Sequence, residues 1–316
     1  MRGLLAILAC AVLLACAHTG GSGTLPAQLT SPFASRPDAA GFQSLYSFKG
    51  LPDASSPAAG MVALNGTLYG TAQTGGRGEG GAVFATSTSG KERVLYSFGS
   101  GGVDGLLPVA GLVVLSGKLY GATTSGGTHG FGALFSVDKS GNEHLLYSFA
   151  GGSDGAQPYA ALVADGGVLY GTTYVGGGSA NCTQGCGTVF SVTTAGKEHV
   201  IYRFKGGSDR IGPFANLIVV NSSLYRTTAD GGKNGTGTIF KTTKSGGEQV
   251  IHSFGSGFDG SEPEAGLINV GDKLYGTTNG GGKHFNGTAF VTTTGGGERV
   301  IYDFKGAKMV PIPKQI

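Results

Sequence analysis

One feature narrows the possible folds more than any other: the same short strings return along the chain at a nearly fixed interval. LYSF begins at Leu45, Leu95 and Leu146, then returns as IYRF at Ile201, IHSF at Ile251 and IYDF at Ile301, at intervals of 50, 51, 55, 50 and 50 residues. A second string, LYG or LYR, places its tyrosine at Tyr69, Tyr120, Tyr170, Tyr225 and Tyr275. A third, G-(T/A)-x-F, places its aromatic at Phe84, Phe135, Phe190, Phe240 and Phe290. The long interval belongs to the copy carrying NCTQGC, so that insertion is local to one loop.

Each copy divides into four apolar, β-branched or aromatic runs separated by Gly-rich turns, which is a strand pattern. In the second copy the runs are Ala110 to Leu115, Lys118 to Thr123, Ala133 to Val137 and Glu143 to Phe149. The fourth run alternates: Val200, Tyr202 and Phe204 are placed on one face, Ile201 and Arg203 on the other. The middle runs are apolar on both faces, as strands sandwiched between neighbours are. Four strands per unit of about 50 residues point to propeller blades, whereas β-solenoid coils are shorter. The reading is therefore all-β, a β-propeller of five blades with four antiparallel strands each, over residues 42–306. Six LYSF-type strands exist for five copies of the rest, so 42–48 and 299–304 compete for the outer place in the last blade.

Composition agrees. Gly is 62 of 316 residues, against a usual share of about 7%, without the three-residue period of collagen. Hydrophobic residues are 40%, too many for a flexible linker. Charged residues are 13% with a net charge of +3, and Lys and Arg are scattered singly, which argues against a nucleic-acid partner.

Residues 1–16 read as a lipoprotein-type signal. Arg2 supplies the positive start, and Leu4 to Leu14 an apolar core too short to span a bilayer. Leu13-Leu14-Ala15-Cys16 matches a lipobox, with Cys16 lipidated; the alternative is ordinary cleavage after a small residue. Lipidation implies an exported chain held at the outer membrane or cell surface, touching membrane only through that anchor. Residues 17–41 read as a flexible tether and 307–316 as a non-repeating tail. Cys182 and Cys186 are expected to pair in the oxidising compartment, since no further ligands stand near them for zinc.

The combination of LYSF, GGSDG, P-x-A-x-L, LYGTT and CGTVF resembles the GloVer-type tandem repeat of bacterial choice-of-anchor surface proteins, over about Phe42 to Gly306, nearly all of the mature chain. The resemblance implies a surface-attached repeat protein and carries over no catalytic residues. The chain departs from it in its few copies, in Arg226 where other copies have Gly, and in the Pro-containing tail after Lys305.

Apparent catalytic motifs weaken on inspection. Gly151 to Gly155 matches G-x-S-x-G, but aligned copies place Val103, Ser208 and Phe258 at the Ser position and no helix follows. Gly76, Gly78 and Gly81 match a dinucleotide pattern, but a strand follows where a helix is needed. Asp104, Asp154, Asp209 and Asp259 are equivalent; they read as turn residues rather than a calcium ring. Glu92, Glu143, Glu198, Glu248 and Glu298 are also equivalent and read as solvated edge charges. The tyrosine series reads as core packing, with repeated ligand contacts as the minority alternative. The absence of Trp weakens a lectin reading.

Copy-specific features remain as possible binding residues: the Cys182/Cys186 loop, Arg226 with Asp230, and the loop histidines His129 and His284. No metal and no cofactor are expected. The expectation is a monomeric, non-enzymatic surface protein presenting loops to an unknown surface ligand, a glycan or a protein. A carbohydrate-binding or carbohydrate-active propeller is the alternative, and a purely structural envelope component the third. A carboxylate pair facing the central channel would favour an enzyme.

Overall fold

The computed structural model describes residues 44–100, 103–207 and 215–306. The leader with Cys16, the tether, the tail at 307–316, and Ser208 and Asp209 lie outside the described residues. Among the described residues no helix is long and apolar enough to cross a membrane.

The four runs of each copy form one antiparallel sheet, and five such sheets make the five blades of a β-propeller. In the third blade the order from inside to outside is Val163–Asp165, Val168–Thr173, Thr188–Thr193 and Glu198–Arg203. The inner strands, Val62–Leu64, Val113–Leu115, Val163–Asp165, Ile218–Val220 and Ile268–Val270, are three residues long, and each of the first four packs beside the inner strand of the next blade. Small residues just before them allow this approach. A Cβ on Gly111 would stand 3.3 Å from the Gly60 carbonyl oxygen, and the Ala161 amide donates to Asn216 Oδ1 at 2.8 Å.

Two residue choices govern how blades stack. In the second strand the Gly of LYG lies directly opposite the third-strand Phe, as Gly171 lies opposite Phe190. A Cβ at Gly70, Gly121, Gly171 or Gly276 would come within 2.5 to 2.7 Å of that ring, so the side chain must be absent for the ring to lie flat. The outer-strand Phe of the preceding blade then meets the same ring. Phe98 meets Phe135, Phe149 meets Phe190, Phe204 meets Phe240 and Phe254 meets Phe290, with centroids 4.9 to 5.3 Å apart. The phenylalanines of these pairs are all fully buried. Such tilted and edge-on aromatic pairs add to the burial of their large apolar area.

This pattern settles the contest for the outer place. Gly296–Asp303 is the outer strand of the fifth blade. The N-terminal copy instead lays Phe48 against Phe84 at 4.8 Å, the position that an outer-strand Phe holds at every later junction. The same segment continues into Ala54–Pro57, which pairs with Thr67–Gly75 and gives the first blade a fifth strand. Phe304 meets no following blade and is 40% exposed.

The outer strand does not alternate strictly. Val189 pairs with Tyr202 but Phe190 with Val200, so Ile201 is an extra residue in the ladder. The same bulge skips Leu95, Leu146, Ile251 and Ile301. A bulge bends the strand and increases its twist. It corrects the two-face division of Val200 to Phe204, because period-two counting cannot register an inserted residue.

The junction rings supply a test. Phe149→Ala is expected to cost about 3 to 5 kcal/mol in denaturant unfolding, and Phe304→Ala within about 0.5 kcal/mol. Equal losses would show that the inter-blade pair is not what holds the stack.

Candidate functional site

Polar chemistry concentrates where adjacent blades meet at the outer strands. At four of the five junctions the ring of the LYSF-type string reaches an Asp in the loop that follows it, beside the Glu that opens the next blade's outer strand; at the fifth, Asp209 lies outside the described residues. Tyr46 donates to Asp53 Oδ2 at 2.7 Å, Tyr96 to Asp104 at 3.0 Å and Tyr147 to Asp154 at 3.0 Å. At the next junction Tyr202 donates to Glu248 at 3.5 Å. The last junction replaces Tyr with His252, whose Nε2 lies 3.1 Å from Asp259 Oδ2. Each Asp also closes its own turn: Lys49, Gly99, Ala150 and Gly255 amides donate to Asp53, Asp104, Asp154 and Asp259.

The junction glutamates correct a sequence expectation. They are half-buried rather than solvated, because the turn before each one packs onto the preceding blade. That turn needs glycine: Gly141 has φ of +94° and a Cβ there would stand 2.4 Å from the Leu95 carbonyl oxygen. Oε1 of Glu92, Glu143, Glu198 and Glu298 is buried without a hydrogen-bond partner. Burial, and then the nearby Asp carboxylate, push Glu143, Glu198 and Glu298 up to about 7. Protonation is the cheaper state for a carboxyl so placed.

The first junction opens into a cleft of about 750 Å³. Tyr46, Asp53, Glu92 and Tyr96 line it, with Lys49 and Arg77 also on its wall. The two carboxyl groups diverge. Burial pushes Asp53 up, but donation from the Lys49 amide, the Tyr46 hydroxyl and the Ala54 amide outweighs it and holds Asp53 below its ordinary 3.8. Glu92 is raised by burial and by Asp53, against the Tyr46 hydroxyl. The Tyr46 phenol, bonded to Asp53, is pushed up to about 12. The cleft therefore holds one carboxyl held below its ordinary value beside one raised above it, a divergence of the kind found in acid–base pairs. A related cleft of about 400 Å³ at the second-to-third junction contains Tyr147, Asp154, Glu198 and Arg203. Inner strands carry a single acid, Asp165, which pairs with Lys244.

The residues singled out from sequence fall elsewhere. Arg226 occupies the Gly position opposite Phe240 and is fully buried. It donates to the Thr172 hydroxyl of the third blade, while its Nε and second terminal nitrogen have no partner. Burial drives its pKa well below the ordinary value. Its proposed role in ligand binding is corrected: a side chain enclosed between blades meets no ligand. Asp230 is exposed, and the two form no ion pair among the described residues. His129 and His284 are exposed on loops of the second and fifth blades. Cys182 and Cys186 form a disulfide with Cα atoms 5.3 Å apart, and Cys182 lines a cleft of about 460 Å³ with Phe131 and Gln157. Asp53 escaped sequence reading because its loop, KGLPDAS, lacks the Gly-rich run that marks its equivalents.

The Gloeobacter/Verrucomicrobia repeat model matches residues 31–184 and 179–310. The chain belongs to this repeat family. No curated protein matches it. Among solved structures it is similar to a gluconolactonase from Xanthomonas campestris, at 17% identity and TM-score 0.48, over 80% of this chain and 78% of that one. A Mycobacterium tuberculosis puromycin-hydrolyzing peptidase gives 12% and 0.46, over 77% of this chain but 37% of the peptidase. A GH43 β-xylosidase/α-arabinofuranosidase from a compost microbial metagenome gives 12% and 0.39, over 78% and 94%. At these identities the likeness concerns the fold alone. The expectation of a non-enzymatic display protein finds no support among these chains, each of which is named as an enzyme.

Two measurements follow from these burials. Glu143, Glu198 and Glu298 are raised from an ordinary 4.5 to about 7, so the stability they contribute is complete below 4.5 and is lost as pH rises through 7. Asp53 acts in the opposite sense, but below 3.8. The melting temperature is expected to fall across pH 4.5 to 7, and Glu143→Gln with Glu198→Gln to flatten that slope; a slope of opposite sign would refute the burial argument. Arg226→Gly restores the residue of the other copies, and is expected to stabilise by on the order of 1 to 3 kcal/mol in chemical denaturation. A loss of stability would mean that the guanidinium is needed where it lies.

Proposed function

We propose that this chain is an exported propeller, anchored by lipid at Cys16 to the outer membrane or cell surface, that binds a carbohydrate in the first-junction cleft and hydrolyses it there. One observation carries the catalytic part: Asp53 and Glu92 line the same cleft, and their surroundings shift them in opposite directions, Asp53 down and Glu92 up. Glycoside hydrolysis in its common form needs this division, one carboxylic acid to protonate the leaving oxygen and one carboxylate to face the developing positive charge. Glu92 is the acid in this reading and Asp53 the carboxylate, oriented by the Lys49 and Ala54 amides and the Tyr46 hydroxyl. Tyr96 offers a ring for a sugar face. Lys49 and Arg77 favour a glycan bearing anionic groups.

The address rests on the leader and the lipobox ending at Cys16. A monomer suffices for the reading, since the cleft is built within one chain.

The test uses purified protein against a panel of neutral and uronate-containing polysaccharides, with binding and released reducing ends followed together. Wild type is expected to bind and release product, with turnover falling as rising pH ionises Glu92. Glu92→Gln is expected to bind but lose about 100-fold or more in kcat. Binding with unchanged turnover in Glu92→Gln, or neither binding nor product from wild type, overturns the assignment. In the same strains Cys16→Ala is expected to move the protein from the membrane fraction to the soluble one; unchanged fractionation sinks the anchor.

A further inference from the structure

We propose that His252, Asp259 and Glu298, at the junction of the fourth and fifth blades, form a mononuclear metal site for a borderline cation of the zinc class. The proposal does not depend on the carbohydrate reading. Its starting point is a break in the repeat. The LYSF-type position is tyrosine at Tyr46, Tyr96, Tyr147, Tyr202 and Tyr302, and His only at 252. A phenol is bound to its proton at neutral pH and serves this junction as a donor. An imidazole can instead present a lone pair from Nε2. The substitution converts a donor between two acids into a third potential ligand.

The geometry suits coordination. One ligand atom from each residue falls within 4.8 Å of the others. Nε2 of His252 lies 3.1 Å from Asp259 Oδ2 and 4.0 Å from Glu298 Oε2. Tetrahedral ligands at about 2.1 Å from zinc stand roughly 3.4 Å from one another, between those two separations. Asp259 Oδ1 accepts from the Gly255 and Ser256 amides at 3.0 and 2.9 Å, which aims Oδ2 at the imidazole. The His252 ring lies edge-on to Phe254 with centroids 4.7 Å apart, which fixes its plane. Ligands held by such outer partners are the rule in metal sites.

Glu298 supplies a second observation, shared in part with Glu92, Glu143 and Glu198 and distinguished here by the imidazole beside it. Its side chain is 4% exposed, and Oε1, in the carboxyl group that approaches His252, is buried without a hydrogen-bond partner. A buried carboxylate without a partner is costly, and a bound cation would satisfy it. The donor set selects the cation. Two carboxylates and one imidazole are too few oxygens for calcium, which takes six to eight. Mixed nitrogen and oxygen donors, three from protein and one place left for water, fit zinc. The sequence reading expected no metal and read Asp259 as a turn residue.

The experiment is calorimetric titration of tag-free, EDTA-treated and dialysed protein with zinc chloride. Wild type is expected to bind one equivalent saturably, with a rise in melting temperature that EDTA reverses. His252→Tyr restores the residue of the other junctions and so preserves the fold; it is expected to weaken binding at least 10-fold. Glu298→Gln is expected to weaken it as well, and His284→Ala, on an exposed loop, to leave it unchanged. Absence of a saturable equivalent in wild type, equal affinity in His252→Tyr, or loss in His284→Ala overturns the site.

Discussion

Everything in this propeller depends on a phenylalanine seated over a missing side chain. The third-strand ring of each blade lies where the opposite residue of the second strand would otherwise place a Cβ, and glycine leaves that space at four of five blades. The ring lying flat lets the next ring, from the preceding blade's outer strand, meet it, and the fully buried Phe pairs recur at successive junctions. A single close approach therefore connects the interior of one blade to the packing of two. Arg226 is the exception that exposes the rule. It puts the largest and most polar side chain where the repeat has none, and the result is a buried guanidinium with two nitrogens unpartnered. The other four blades supply enough apolar burial for the fold to survive one such position.

Much of the architecture was legible in the sequence because it is carried by local pattern. In the second copy the second and third strands were placed as Lys118–Thr123 and Ala133–Val137 and lie at those bounds. The inner strand is shorter than its apolar run: Ala110 and Leu112 are buried, yet pairing begins at Val113. Hydrophobicity reports burial, and burial extends beyond the hydrogen-bonded ladder. The bulges at Leu95 and its equivalents were invisible for a related reason, since an extra residue leaves composition and length unchanged. Which copy ends the last blade was also beyond reach, because the contending strings are nearly the same. The contacts of Phe48 decide it, and contacts are not written in a string.

The junction chemistry was misread for a more instructive reason. Recurrence was taken as the mark of scaffold, and scaffold as the absence of function. Glu143 does recur, and it does open an outer strand, but exposure is set by what the neighbouring blade lays over it. Tyr96 and Asp104, more than thirty-five residues earlier in the chain, create its environment. The carboxyl is perturbed at Glu92, Glu143, Glu198 and Glu298, so repetition multiplies candidate sites instead of excluding them.

The consequence is a division of labour between radius and rim. Toward the centre, small residues touch across blades and leave little freedom: a Cβ at Gly111 would already crowd the Gly60 carbonyl. At the outer junctions the demands are looser. The aromatic of LYSF has to fill an edge against its Phe neighbour, and both Tyr147 and His252 do so, at 5.3 and 4.7 Å. The Asp has to close a turn, and it does so from KGLPDAS as well as from GGSDG. Packing thus tolerates exchange of the functional atoms while holding their positions. The same triangle of groups becomes an open acid–carboxylate cleft beside Tyr46 and a compact set of three ligand atoms beside His252, with the phenylalanine stack unchanged beneath both.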